Sequence, residues 1–163
     1  MKILITGVAG FLGSHLSQKF ADLGHEVIGV DNMIAGYKDN VPKNIKFYPY
    51  DCCDLDKMYK VMSKVKVDVV YHCAATAHEG LSVFSPYKIT KNNYLASVSV
   101  FTAAISNKVK RIIFCSSMAR YGSQKTPFTE DMVAKPLDPY AISKVAAENV
   151  LINLCELNNI EWV

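Results

Sequence analysis

The chain has 163 residues, half of them apolar, and a formal net charge of only +3. That is enough for one domain with a real core and too little for two. The lysines are scattered, so no basic face points to nucleic acid, and no apolar run approaches the ~20 residues of a membrane span.

The opening, Met1-Lys2-Ile3-Leu4-Ile5-Thr6-Gly7, is broken by glycine too early for a secretory signal. The five cysteines, Cys52, Cys53, Cys73, Cys115 and Cys155, form no Cys-x-x-Cys. The expectation is reduced cytoplasmic thiols, with neither a disulfide framework nor a metal site.

Strand and helix patterns then alternate along the chain. Lys2–Thr6 reads as an apolar strand. Phe11–Leu23 has helical spacing, marked by Leu12, Leu16, Phe20 and Leu23, and Gly24 ends it. Glu26–Asp31 is a second strand, followed by a polar stretch from Asn32 to Asn44. Ile45–Tyr48 is a third strand. Leu55–Val65 is a helix capped by Asp54. Val67–His72 is a β-branched run suited to a strand buried on both faces. Pro86–Asn107 reads as one long apolar helix and Arg111–Cys115 as a fifth strand. Tyr121–Leu137 is loop-like. Pro139–Leu157 is a helix with Asp138 as cap and Pro139 at its first position. Ile160–Val163 begins a sixth strand. Such alternation predicts an α/β fold, a doubly wound parallel sheet in the order 3-2-1-4-5 with the start of strand 6.

Three features carry chemistry. Gly7, Gly10 and Gly13 lie between a strand and a helix. There, backbone amides and the helix dipole can hold a pyrophosphate, although a tight turn without ligand has the same glycines. Asp31 ends the second strand, where a carboxylate can bond ribose hydroxyls and repel a 2′-phosphate; alone it is also a turn residue. Tyr140 and Lys144 share one face of a helical first turn. A free tyrosine has a pKa of about 10, and bringing it near 7 costs ~4 kcal/mol, toward which a nearby ammonium contributes. Ser117 ends the fifth strand and is either a cap or a hydroxyl beside Tyr140. Asp51 is either an adenine contact or turn chemistry before Asp54. Ala74-Ala75 leaves room for a flat ring. His72 reads as a hydrogen-bonded strand-end residue, and His78 as a candidate pocket residue. The helix from Pro86 is apolar on too many sides for a sheet alone to cover.

Taken together, these motifs resemble the extended short-chain dehydrogenase/reductases, in particular the NAD-dependent epimerase/dehydratase family. The resemblance runs over the whole chain and matches the N-terminal half of such an enzyme. It is carried by Ile5-Thr6-Gly7 through Ser14-His15, Val30-Asp31-Asn32, the Asp51 position, and His72-Cys73-Ala74-Ala75. Asn92-Asn93, Ser116-Ser117 with Tyr121-Gly122, Pro127-Phe128-Thr129-Glu130, and Pro139-Tyr140 to Lys144 complete it. It implies a Rossmann fold over residues 1–163 that binds NAD, with the C-terminal substrate domain absent. By position, Gly7, Gly10, Phe11, Leu12 and Gly13 would meet the pyrophosphate, and Asp31 and Asn32 the ribose. Asp51 and Cys52 would flank the adenine, while Cys73, Ala74, Ala75, Ala77 and Asn92 would line the cofactor. Ser117, Tyr140 and Lys144 would be catalytic, with Tyr140 taking a proton from a sugar hydroxyl as hydride moves to NAD, and Lys144 also holding the nicotinamide ribose.

The implied activity is epimerisation of a nucleotide sugar, a UDP-sugar foremost, by a homodimer packed through helices 86–107 and 139–157. Two departures stand out: no lysine lies near Ala77, and Met118-Ala119-Arg120 follows Ser117 where the dehydratases carry an Asp-Glu pair. The latter argues against a dehydratase. Uronate epimerases, decarboxylases and reductases of the family keep the same three catalytic residues, so they remain alternatives. So does a non-catalytic NAD-binding scaffold or sensor. The chain is expected to be truncated, and inactive by itself.

Overall fold

Short apolar runs become the strands of one parallel sheet in the computed structural model of the protein, which describes residues 1–163. β1 (Lys2–Thr6), β2 (Glu26–Val30), β3 (Lys46–Tyr48), β4 (Val69–His72), β5 (Arg111–Phe114) and β6 (Glu161–Trp162) lie in the order β3-β2-β1-β4-β5-β6. The expected order is borne out, and all five pairings are parallel. In the centre, Leu4 pairs with Ile28 on one side and Val70 on the other. The chain winds one way from β1 to β3 and the other way from β4 to β6. This opens a crevice at the carboxyl ends of β1 and β4.

Side chains alternate across each strand, so the two faces of the sheet take different partners. Leu4, Ile28, Val70 and Ile112 pack with α2 (Leu55–Val65), α4 (Ala96–Ser106) and α5 (Pro139–Asn158) in the main core, where Met58, Met62 and Phe101 are fully buried. Ile3, Ile5 and Val27 face the other way, against Leu16 and Phe20 of α1 (Phe11–Asp22).

The helix ends follow the sequence signals. Asp54 accepts the Lys57 N–H at 3.1 Å. One Asp138 oxygen accepts the Ala141 N–H at 2.9 Å and the Ser82 hydroxyl at 3.2 Å. Caps of this kind contribute about 1 kcal/mol each. Gly24 stands at φ +78° after α1, the left-handed position that stops a helix.

Several boundaries differ from expectation by one or two residues, where pairing partners run out. β2 stops at Val30, β4 starts at Val69, and β6 has only two residues. The larger correction is the helix expected over Pro86–Asn107. It is α3 (Pro86–Ile89), a π-helical turn (Thr90–Leu95) and α4 in succession. The wider turn rotates Asn93 inward. Its Oδ1 accepts the Thr76 N–H at 2.7 Å and its Nδ2 donates to the Thr76 carbonyl at 3.2 Å. α4 is wedged between α2 and α5, so most of its apolar surface is covered within the chain. Leu95, half exposed, and Ile142 on α5 are left outside. No helix is long and apolar enough to cross a membrane.

Candidate functional site

The turn after β1 is built around the absence of side chains. Gly7 adopts φ +73°, and a Cβ there would lie 2.8 Å from the Ala74 nitrogen. A Cβ on Gly13 would lie 2.1 Å from the Gly7 carbonyl oxygen. The two glycines thus let α1 and the segment after β4 close directly onto the loop. Gly10 caps α1 with extended backbone, and no acidic residue sits in the first turn. The amides of Phe11, Leu12 and Gly13 have no carbonyl within the helix to bond. The positive end of the helix therefore faces the crevice with free donors, the arrangement that holds phosphate.

Asp31 follows β2 and is 8% exposed. Its Oδ2 accepts the Ala9 N–H at 3.0 Å and its Oδ1 the Met33 N–H at 2.8 Å. Each oxygen keeps a further acceptor site for a ligand hydroxyl. Asn32 accepts the Ile34 N–H at 3.1 Å. Asp51 accepts the Cys53 N–H at 2.8 Å, so the turn chemistry is present, and the same residue also lines the crevice. Beside it Cys52 is buried, which pushes its thiol well above the usual range.

The floor of the crevice rests on a relay through His72. The Ala74 N–H donates to Thr6 Oγ1 at 3.1 Å, which leaves the Thr6 hydroxyl to donate to His72 Nδ1 at 2.7 Å. His72 Nε2 then donates to Ser97 Oγ at 2.9 Å, and Ser97 donates to the Asn93 carbonyl. Complete burial and the charge of Lys144 push the His72 pKa down to about 3. This neutral histidine clips β1, β4 and α4 together and fixes the backbone at Ala74. No group of three or more potential metal-binding side chains occurs anywhere in the chain.

Ser117, Tyr140 and Lys144 converge on the segment just after β5. Ser117 Oγ accepts the Ala119 N–H at 3.1 Å, capping a single helical turn, and keeps its own proton to donate. Tyr140 is 7% exposed and packs with Ile89, Ala119 and Ala141. Lys144 is 3% exposed, donates from Nζ to the Cys115 carbonyl at 2.8 Å, and lies 4.7 Å from the centre of the Phe114 ring. Burial lowers its pKa to about 8, against the attraction of Cys115, Cys73 and Glu148. Ser117 is thus bracketed by the contact of Lys144 with residue 115 and of Tyr140 with residue 119. Glu148, one turn beyond Lys144, accepts the Ser116 hydroxyl and pairs with Arg120 at 3.1 Å, pinning the same segment.

A cavity of about 280 Å³ occupies the crevice. It gathers Gly7, Gly10, Phe11, Leu12, Gly13, Asp31, Asn32, Asp51, Cys52, Cys73, Ala74, Ala75, Ala77 and Asn92 on one wall system. Ser117, Tyr140 and Lys144 are not part of that wall. Lys144 connects to it through the Cys115 carbonyl and the neighbouring Cys73, which lines the cavity. His78 lines the cavity, as do Ile34, Ala35, Gly36, Thr76 and Ala96. In the sequence Ile34, Ala35 and Gly36 belong to the polar stretch from Asn32 to Asn44. The available signal was Gly36, whose Cβ would fall 2.5 Å from that of Ala9. With Tyr37 N–H and Asn40 Nδ2 both donating to the Ala9 carbonyl, at 3.1 and 3.0 Å, the connection folds over the glycine loop.

The model of the NAD dependent epimerase/dehydratase family matches residues 3–163. The chain is 34% identical to the UDP-glucose 4-epimerase of Lactobacillus helveticus over 152 residues, covering 93% of this chain and 46% of that protein. A crystal structure of UDP-glucose 4-epimerase with UDP-glucose from Thermotoga maritima superposes with TM-score 0.96 at 33% identity, over 99% of this chain and 53% of that one. The Thermus thermophilus UDP-glucose 4-epimerase in complex with NAD gives 0.95 at 31%, with the same coverage. The chain spans about half the length of the curated relatives it matches.

Proposed function

Since the chain belongs to the NAD dependent epimerase/dehydratase family, we propose that it is the cofactor-binding half of a cytoplasmic nucleotide-sugar epimerase. UDP-sugars are the favoured substrates, the dinucleotide is NAD, and residues 1–163 form its Rossmann domain. One observation carries the reading. A single crevice joins the open amides at the start of α1, the two-handed Asp31 carboxylate and a side-chain-poor floor at Ala74-Ala75. Those features fit a dinucleotide: phosphate at the helix end, ribose hydroxyls on Asp31, and a flat ring against backbone. Asp31 disfavours a 2′-phosphate at the same place, and no arginine lies between it and Asn44.

When bound, NAD would supply the hydride acceptor and donor. The chain's own residues do the rest. Lys144, held by the Cys115 carbonyl, presents a positive charge to a cofactor ribose and to the Tyr140 oxygen. Tyr140 takes the proton of the sugar hydroxyl whose carbon is oxidised, and returns it after the sugar has turned over. Ser117 donates its free proton to the same sugar oxygen. Groups that orient the nucleotide half of the substrate come, in this proposal, from a further domain. Leu95 and Ile142 mark the helical faces through which two subunits would pair.

Calorimetry of the chain with NAD and NADP tests the cofactor assignment, with NAD expected to bind more tightly. Preference for NADP would overturn the role of Asp31. In a protein that also carries the substrate domain, Tyr140→Phe should keep NAD affinity and lower UDP-sugar turnover about 10²–10⁴-fold. Undiminished turnover would place the base elsewhere.

A further inference from the structure

Cys73 and Cys115 each follow the last pair of neighbouring parallel strands, His72 and Phe114. The Cys115 N–H donates to the His72 carbonyl at 3.1 Å, so the two backbones remain at strand spacing. That spacing, ~4.8 Å, lies within the Cα separation a disulfide spans. The sulfurs are 3.5 Å apart, and closing to a bond of about 2.05 Å requires a shift of ~1.5 Å. Both cysteines are partly accessible, and Cys73 lines the crevice. The other three differ: Cys52 and Cys155 are buried, and the Cys53 thiol donates to the Lys91 carbonyl at 3.3 Å. The Lys144 ammonium stands beside Cys115, bonded to its carbonyl at 2.8 Å. The Cys73 thiol and that ammonium hold the Cys115 thiol down to about 7, while Cys73 is pushed up. Thiolate is the reactive form, and the ammonium bonded to the Cys115 carbonyl favours it there; Cys115 is therefore taken as the nucleophile and Cys73 as the resolving thiol.

We propose that Cys73 and Cys115 are an oxidation site, a dithiol that hydroperoxides close to a disulfide and that bound dinucleotide shields. The chemistry balances without any other reagent. The Cys115 thiolate attacks one peroxide oxygen, the O–O bond breaks, and the sulfenic acid forms as hydroxide leaves. Cys73 sulfur then attacks Cys115 sulfur. The S–O bond breaks, and water departs with the proton from Cys73. Two thiols and one hydrogen peroxide give one disulfide and two waters. The shielding half rests on the NAD reading above, because a dinucleotide in the crevice covers Cys73 and hinders the ~1.5 Å approach of the sulfurs that closure needs. Oxidation should in turn weaken binding, because the bond draws Cys73, part of the crevice wall, out of place.

The test treats the chain with stoichiometric hydrogen peroxide, alkylates residual thiols and digests with trypsin. The expected product has lost two hydrogens and links the peptide Val67–Lys88 to Ile112–Arg120. Saturating NAD should slow the cross-link severalfold, and the oxidised chain should bind NAD more weakly until dithiothreitol restores it. Cys115→Ala should abolish both the cross-link and the peroxide sensitivity of binding. Two free thiols after peroxide, or a bond to Cys52, Cys53 or Cys155, would overturn the site. Equal cross-linking rates with and without saturating NAD would overturn the shielding. If the reduced chain binds no NAD, the cofactor reading falls together with the shielding, while the peptide map still decides the dithiol by itself.

Discussion

Gly13→Ala separates two physical effects that have opposite signs. Gly13 lies inside α1, where alanine gains about 1 kcal/mol over glycine from backbone entropy alone. The fold imposes the opposite. The new Cβ would stand 2.1 Å from the Gly7 oxygen, 2.7 Å from its carbonyl carbon and 3.0 Å from the Val8 Cα. All three are backbone atoms, and Gly7 is itself held by the bond from its N–H to the Val30 carbonyl at 2.8 Å. No rotamer relieves the overlap, so α1 must retreat by about 1 Å. Overpacking costs about 1–3 kcal/mol, and an overlap this close with fixed backbone belongs in the upper part of that range, about 2–3 kcal/mol, above the propensity gain. The start of α1 retreats with it, carrying the amides of Phe11 and Leu12 away from the crevice. The expectation is therefore a net loss of about 1–2 kcal/mol in urea unfolding, together with weaker NAD binding by calorimetry. Gly80→Ala is the control, because nothing lies within 4 Å of the Cβ it would add. A Gly13→Ala chain as stable as the wild type, with unchanged NAD affinity, would refute the claim that close backbone approach is what the glycine provides.

Acid should act through His72. Its pKa is about 3 in the fold against about 6.5 unfolded, so the unfolded chain binds the extra proton between those values. Stability thus falls as pH drops from 6.5 toward 3, by an amount on the order of 5 kcal/mol. Urea midpoints across that range should be steeper for the wild type than for His72→Gln, and parallel curves would contradict the assignment. Lys144 acts at the other end. Its folded pKa of about 8 lies below the ordinary lysine value, so its buried charge destabilises the fold below pH 8, and that cost is relieved as pH rises toward 10.5. Lys144→Met should lack that alkaline gain and should also bind NAD more weakly. Retention of both would show that the alkaline gain does not arise from a lowered Lys144 pKa and that Lys144 does not meet the cofactor.

Much of this molecule is legible in one dimension because its determinants are local. The alternation of apolar runs with 3.6-residue patterns sets the parallel sheet and its order. Asp54, Asp138, Pro139 and Gly24 mark their helix ends through bonds and dihedral angles that involve only neighbours in sequence. The glycine spacing and the Tyr140–Lys144 interval are likewise short-range. The tertiary structure decided what depends on distant backbone. The π turn at Thr90–Leu95 buries Asn93 against Thr76, a contact 17 residues away that no propensity encodes. Ile34 to Gly36 became cavity wall because their connection hydrogen-bonds to Ala9. The Cys73–Cys115 contact spans 42 residues and arises only where β4 and β5 end side by side. Local patterns fix which elements form. Register and packing between elements, set by burial and by pairing every backbone group, fix which side chains meet.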